Sequence, residues 1–249
     1  MTKKNRRDIP WTKITAEGVA IVVSILLAFG IEAWWSDRQE VQLVEENLAA
    51  LRDELTSNLE EIRHERTFRQ AVINATRQLF ELAQSEDAIP AIELDRLLSD
   101  VTWGGRIDVS TGALLSTLQT GILTSIDESE LRRSLSSLPA LYEITRMHEQ
   151  NSSAFTDEHV VIYINTHGSL LQVFNSGEGA GRPGGRSEMA SPYRYPVRSP
   201  EDHSALLEQE AFLGYLAMGK STHENIVLYY DRLEVATQHS IELIEQRID

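Results

Sequence analysis

Residues 18–31, "GVAIVVSILLAFGI", hold no charge, and Glu17 and Glu32 frame them. A membrane span ordinarily takes about 20 mainly apolar residues, so these 14 are short by themselves. Tryptophans extend the run on both sides: Trp11 before it, Trp34 and Trp35 after it. From Trp11 to Trp34 a helix rises roughly 34 Å. That matches a hydrocarbon slab of roughly 30 Å with an aromatic at each interface. Glu17 and Glu32 then fall near the slab edges. The strongly apolar residues between them contribute roughly −4 kcal/mol to insertion. Residues 12–35 are therefore expected to form one transmembrane helix, with Trp11, Lys13, Glu17, Ser24, Glu32, Trp34 and Trp35 as its anchoring positions.

The flanking charges orient such a helix. Residues 1–13 carry five basic side chains against one acidic, whereas residues 37–249 carry 18 basic and 35 acidic, a net −17. The positive-inside rule places residues 1–11 in the cytoplasm. It places residues 36–249 outside, as the extracytoplasmic domain of a single-pass protein of the bacterial inner (plasma) membrane. The acidic bulk repels phosphate backbones, which argues against nucleic acid and leaves the lipid bilayer and a protein partner or homo-oligomer. Two other readings fit the same run. A cleaved signal peptide shares the basic start, but "AFGIEAW" makes a poor small-residue cleavage site. A buried helix of a soluble domain leaves the basic flank and paired tryptophans without a purpose. Glu17, Ser24 and Glu32 lie roughly on one side of the helix. They read either as a polar seam for a partner helix or as two interfacial acids and a tolerated serine.

The stretch "AEGVAIVVSILLAFGIEAWWSDRQE", followed by "LRDELTSNLEEI", resembles the N-terminal part of a family of uncharacterised bacterial membrane proteins. In that family a Glu-containing anchor ends at a tryptophan and leads into a long helix of leucines, glutamates and an asparagine. Residues 111–135, "TGALLSTLQTGILTSIDESELRRSL", are similar to a second segment of the family. The resemblance implies a membrane anchor and a helical extracytoplasmic domain. It implies no chemistry.

Beyond the anchor, no glycine occurs between Gly30 and Gly104 and no proline between Pro10 and Pro90. Val44, Leu48, Leu51, Leu55, Leu59 and Ile62 recur in steps of three and four, which is a helical stripe. One helix is predicted from about residue 12 to about 84, with Glu65 and Arg69 as a helix-supporting pair. The stripe fits packing within its own domain; a parallel coiled coil is the alternative, though the pattern lasts barely three heptads. A short helix is expected over residues 93–101, a turn at Trp103-Gly104-Gly105, and a helix from Thr111 closed by Gly121. Asp127 and Glu130 form a capping box, with Ile126 and Leu131 as its hydrophobic staple. Pro139 should kink or restart the helix that follows. "HVVIYI", residues 159–164, has strand-like composition in helical surroundings and is read as helix.

Residues 175–200 are rich in glycine and proline and read as a long irregular loop. Gly179, Gly181 and Gly184 match G-x-G-x-x-G, but no strand precedes them and Pro183 interrupts the pattern, so a nucleotide site is not inferred. Ser199, Pro200, Glu201 and Asp202 signal a helix start. Gly219 is expected to end that helical region, and Ser221 and Glu224 to open a final helix.

No H-E-x-x-H, G-x-S-x-G or Walker loop occurs. Glu61-x-x-His64 is a lone E-x-x-H, where a di-iron bundle needs two such motifs and two further glutamates. There is no cysteine. No catalytic, metal or cofactor residue is assigned. The reading is a mainly α protein: an N-terminal transmembrane helix continuing into a helical bundle with one long Gly/Pro-rich loop. Its expected function is non-catalytic, an envelope interaction or scaffolding domain. The alternatives are a ligand-sensing bundle acting through a membrane partner and, third, an unrecognised hydrolase.

Overall fold

The computed structural model describes residues 11–85, 89–126, 128–176, 196–197 and 201–248; for residues 11–21, 124 and 125 it describes the backbone alone. The described residues are mainly helical and form no strand. The elements are α1 (Trp11–Ala83), α2 (Ala91–Val101), α3 (Gly112–Gln119) and a 3-10 turn (Ile122–Ser125). Then come α4 (Ser129–Phe155), a π-helical turn (Thr156–Val161), α5 (Ile162–His167), α6 (Leu170–Ser176), α7 (Ser204–Leu207) and α8 (Glu210–Ile248). By compactness the chain divides into residues 1–48 and residues 49–249.

In the first unit every residue from 22 to 43 is exposed. At 100° per residue that covers the whole circumference of the helix, so no face packs on protein. Among the described residues no helix is long and apolar enough to cross a membrane. The described side chains take in only positions 22–31 of the charge-free run.

In the second unit the predicted stripe does its packing. Leu51, Leu55 and Ile62 are fully buried and Leu59 nearly so. The bundle is built on α1, α4 and α8. Ser134 and Ser240 share a hydrogen bond at 2.7 Å near the start of α4 and the end of α8. Phe155 meets Tyr215 at the opposite ends, so these two helices run antiparallel. Arg63 pairs with Glu234 at 2.7 Å and Arg66 with Asp231 at 2.5 Å, which sets α1 antiparallel to α8 as well. A second buried cluster joins Ala75 and Leu79 of α1 to Leu94, Leu97 and Leu98 of α2 and to Phe212 and Leu216 of α8.

Several local expectations hold. Gly121, with φ 80°, takes the left-handed conformation that ends the α3 region, a conformation costly for any residue with a Cβ. Ile126 and Leu131 are both buried. Residues 159–164 are helical, split between the π turn and α5.

Other expectations are corrected. α4 neither stops nor restarts at Pro139. The lost backbone hydrogen bond is outweighed by the buried Leu131, Leu135, Leu138 and Tyr142 around it. α8 runs unbroken through Gly219 and Ser221, and Glu224 accepts a hydrogen bond from Lys220 at 2.6 Å instead of capping. A helical glycine costs about 1 kcal/mol relative to alanine. Burial of Phe212, Leu216, Ile226 and Tyr230 along the same helix exceeds that. Glu201 and Asp202 precede a helix that starts at Ser204, with His203 at its N-cap. Asp127, Ser199, Pro200 and the G-x-G-x-x-G stretch lie outside the described residues. Glu65 and Arg69, read as a helix-supporting pair, are both buried.

Candidate functional site

Next to its leucine stripe, α1 carries a second series with the same period: Glu54, Asn58, Glu61, Glu65 and Arg69. Steps of three and four keep these residues on one face. That face meets the connector between α2 and α3, residues 103–111, which has no regular secondary structure. Only Gly105 of this connector is buried, yet peptide groups along it that face α1 still need partners. Here side chains from the helix take the place of a neighbouring strand.

Glu54 receives the N–H of Ala113 at 2.8 Å and of Leu114 at 2.9 Å, and the Ser110 hydroxyl at 3.0 Å. It therefore caps α3, whose own N-cap residue Thr111 makes no side-chain cap bond. A carboxylate at a helix N-terminus is favoured both by the exposed N–H groups and by the helix dipole. Asn58 closes a two-way pair with the Ser110 backbone: Oδ1 accepts its N–H at 2.9 Å and Nδ2 donates to its carbonyl at 2.7 Å. Glu61 accepts the Asp108 N–H at 3.3 Å. At the far end Arg69 donates from Nη2 to the Gly105 carbonyl. Gly105 passes so close to the Glu65 carboxylate that a Cβ there would collide with it.

Arg69 is fully buried. Its Nη1 lies 2.9 Å from Nδ1 of His223, which must accept, so the His223 proton sits on Nε2. Burial first, and Arg69 second, push the His223 pKa down to about 3. Glu149, from α4, accepts the Ile107 N–H at 3.1 Å and the Tyr230 hydroxyl. Burial raises its pKa, and hydrogen bonds from Tyr230 and Ile107 and the charges of Arg69 and Arg106 oppose the rise. Burial also drives the Tyr230 phenol up. The cluster thus joins α1, the connector, α4 and α8 around one cation. Arg69, Asn58 and Glu149 hold the connector's peptide groups, while Arg69 Nε and Glu149 Oε2 accept or donate no hydrogen bond among the described residues.

A second polar cluster involves Asp95 of α2 and His203. His203 Nδ1 is 2.5 Å from Asp95 Oδ1, and its Nε2 receives the Ser169 N–H at 2.8 Å. An acid and a histidine do meet here, as a hydrolase would need. Both ring nitrogens are engaged by the chain itself and the pair is buried. Among the described residues no group of three or more potential metal ligands forms, around Glu61 and His64 or elsewhere. His159 and His167 are separated by Tyr163, which stacks on His167 at 4.1 Å, while His159 stacks on Tyr215 at 5.1 Å.

Of the anchoring positions, Trp11, Lys13 and Glu17 lie in α1 with only their backbone described. Ser24, Glu32, Trp34 and Trp35 are exposed. The two tryptophan rings sit 6.4 Å apart, and the Arg38 guanidinium lies 5.8 Å from the Trp34 ring centre. Sequence reading missed the polar series on α1, the Arg69–His223 contact and the Asp95–His203 pair. Only the first left a trace, in the helical spacing of its members. No family model, curated protein or solved structure matches this chain.

Proposed function

We propose that the protein is a membrane-tethered, non-catalytic helical module. Residues 12–35 lodge in the bacterial inner membrane with the N-terminus in the cytoplasm. The helical domain lies outside and binds a protein partner, or a second copy of itself, within the envelope. One observation carries this reading: from 22 to 43 the helix has no buried position. Val22, Val23, Ile25, Leu26, Leu27, Phe29 and Ile31 are each 48–65% exposed. Among the described residues nothing covers this apolar surface, and lipid is the solvent that accommodates it. The resemblance of the anchor and of residues 111–135 to a family of membrane proteins supports the same reading.

Paired reporters fused after Asp249 test it. An enzyme active only outside the cytoplasm should work there, and one active only inside should not; the reverse pattern contradicts the proposal. Recovery of a stoichiometric membrane protein from detergent extracts would supply the partner. The ligand-sensing alternative draws on the π-helical turn at Thr156–Val161, since such turns recur at functional sites. Thermal stabilisation by a small molecule, with no protein co-purifying, would favour it.

A further inference from the structure

The Asp95–His203 cluster ties together chain segments that flank a long stretch of sequence. Ser169 and Gln172 stand just before residue 177, and Glu201 and His203 just after residue 200. The Gln172 carboxamide donates to Asp95 Oδ2 at 2.8 Å and to the Glu201 carbonyl at 2.9 Å, and it accepts the Glu201 N–H at 2.8 Å. His203 completes the set, with Asp95 on Nδ1 and the Ser169 N–H on Nε2. Gly168 lies flat against the ring, where a Cβ would stand 2.6 Å from His203 Cδ2.

This pattern defines the charge state of the ring. A backbone N–H can only donate, so Nε2 must present its lone pair, and the single proton sits on Nδ1 toward the carboxylate. His203 is therefore neutral when the cluster is closed. A second proton has one place to go, Nε2. There it would point at the Ser169 N–H, donor against donor, with the two nitrogens 2.8 Å apart. The bond to Asp95 would survive and become an ion pair.

We propose that His203 is a proton-operated, one-sided clasp: neutral, it holds the residue 168–169 turn and the start of α6 to α2; protonated, it releases that turn and keeps Asp95. The charged groups that the described residues set against it are Asp95 from α2 and Asp202 from its own segment. α6 contributes only the neutral Gln172. The inference rests on this geometry alone and not on where the domain resides.

Amide exchange of the full-length protein in detergent, corrected for the intrinsic pH dependence, tests it directly. Between about pH 8 and pH 5 the Ser169 amide should lose protection by about tenfold per pH unit below the midpoint, the slope of a one-proton linkage. Amides of α4 should keep theirs, and the ring-nitrogen NMR signal that titrates should be Nε2. In Asp95→Asn the imidazolium loses its carboxylate, and the midpoint should move to lower pH. Constant Ser169 protection across the range would overturn the proposal. So would a parallel loss throughout α4, or an unmoved midpoint in a folded Asp95→Asn protein. Should that variant not fold, the wild-type exchange profile and ring titration decide alone.

Discussion

α1 contains two helical stretches that obey different rules. Residues 22–31 carry no charge, and residues 22–35 are nowhere buried. Residues 49–83 carry a narrow buried stripe and, beside it, a polar series that grips another part of the chain. Helix propensity supports both and distinguishes neither. What separates them is burial: the second stretch buries side chains within the protein, and residues 22–35 stay exposed. Leucine in one stretch and leucine in the other are therefore different residues in energetic terms.

The largest effect is expected at Arg69. Arg69→Leu removes the cation and both of its hydrogen bonds while Glu65 and Glu149 stay buried nearby. Breaking a buried charge cluster from one side costs about 3–5 kcal/mol, readable as a drop in the urea midpoint. A full-size response here, with none from the exposed stretch, would sharpen the contrast. Next comes a matched pair. Leu55→Ala, at a fully buried position, should cost about 2–5 kcal/mol. Leu27→Ala, 62% exposed, should change unfolding by less than about 0.5 kcal/mol. Equal losses at the two sites would break the comparison.

Acid should probe the buried cluster with opposite signs. His223 has its pKa depressed from 6.5 to about 3, so its stabilising contribution is complete above pH 6.5 and is lost as pH falls toward 3. Glu149 is shifted upward, so the folded state takes up its proton before the unfolded chain does and gains stability as pH falls. His223→Gln should therefore flatten the acid decline of the urea midpoint, and Glu149→Gln should steepen it. Smaller in size, Glu54→Ala should cost about 1–2 kcal/mol, the scale of a helix cap. Its signature is faster amide exchange at Ala113 and Leu114. Smallest is Gly214→Ala. An added Cβ meets nothing within 4 Å, so the exposed helix interior should gain up to about 1 kcal/mol.

The leucine stripe was legible in the sequence because periodicity records burial on a face directly. Val44, Leu48, Leu51, Leu55 and Ile62 are all buried as that pattern predicts. The length of α1 was legible because no glycine or proline interrupts it. What the sequence concealed are partners distant in the chain. Asn58 looks like any helical asparagine until Ser110 is beside it, and Arg69 looks solvated until His223 and Gly105 close over it. Gly219, expected to end a helix, misled for a related reason. Local breaker signals carry about 1–3 kcal/mol, and a helix buried along its whole length overrides them.

The most direct test of the contrast within α1 is alkaline carbonate extraction of membranes containing the full-length protein. The chain should remain in the membrane pellet, and replacing both Leu26 and Leu27 by aspartate should move it to the supernatant with its amide-exchange pattern in α4 and α8 intact. Wild-type protein released by carbonate would contradict the account, because the apolar residues 22–35 would then need a partner other than lipid.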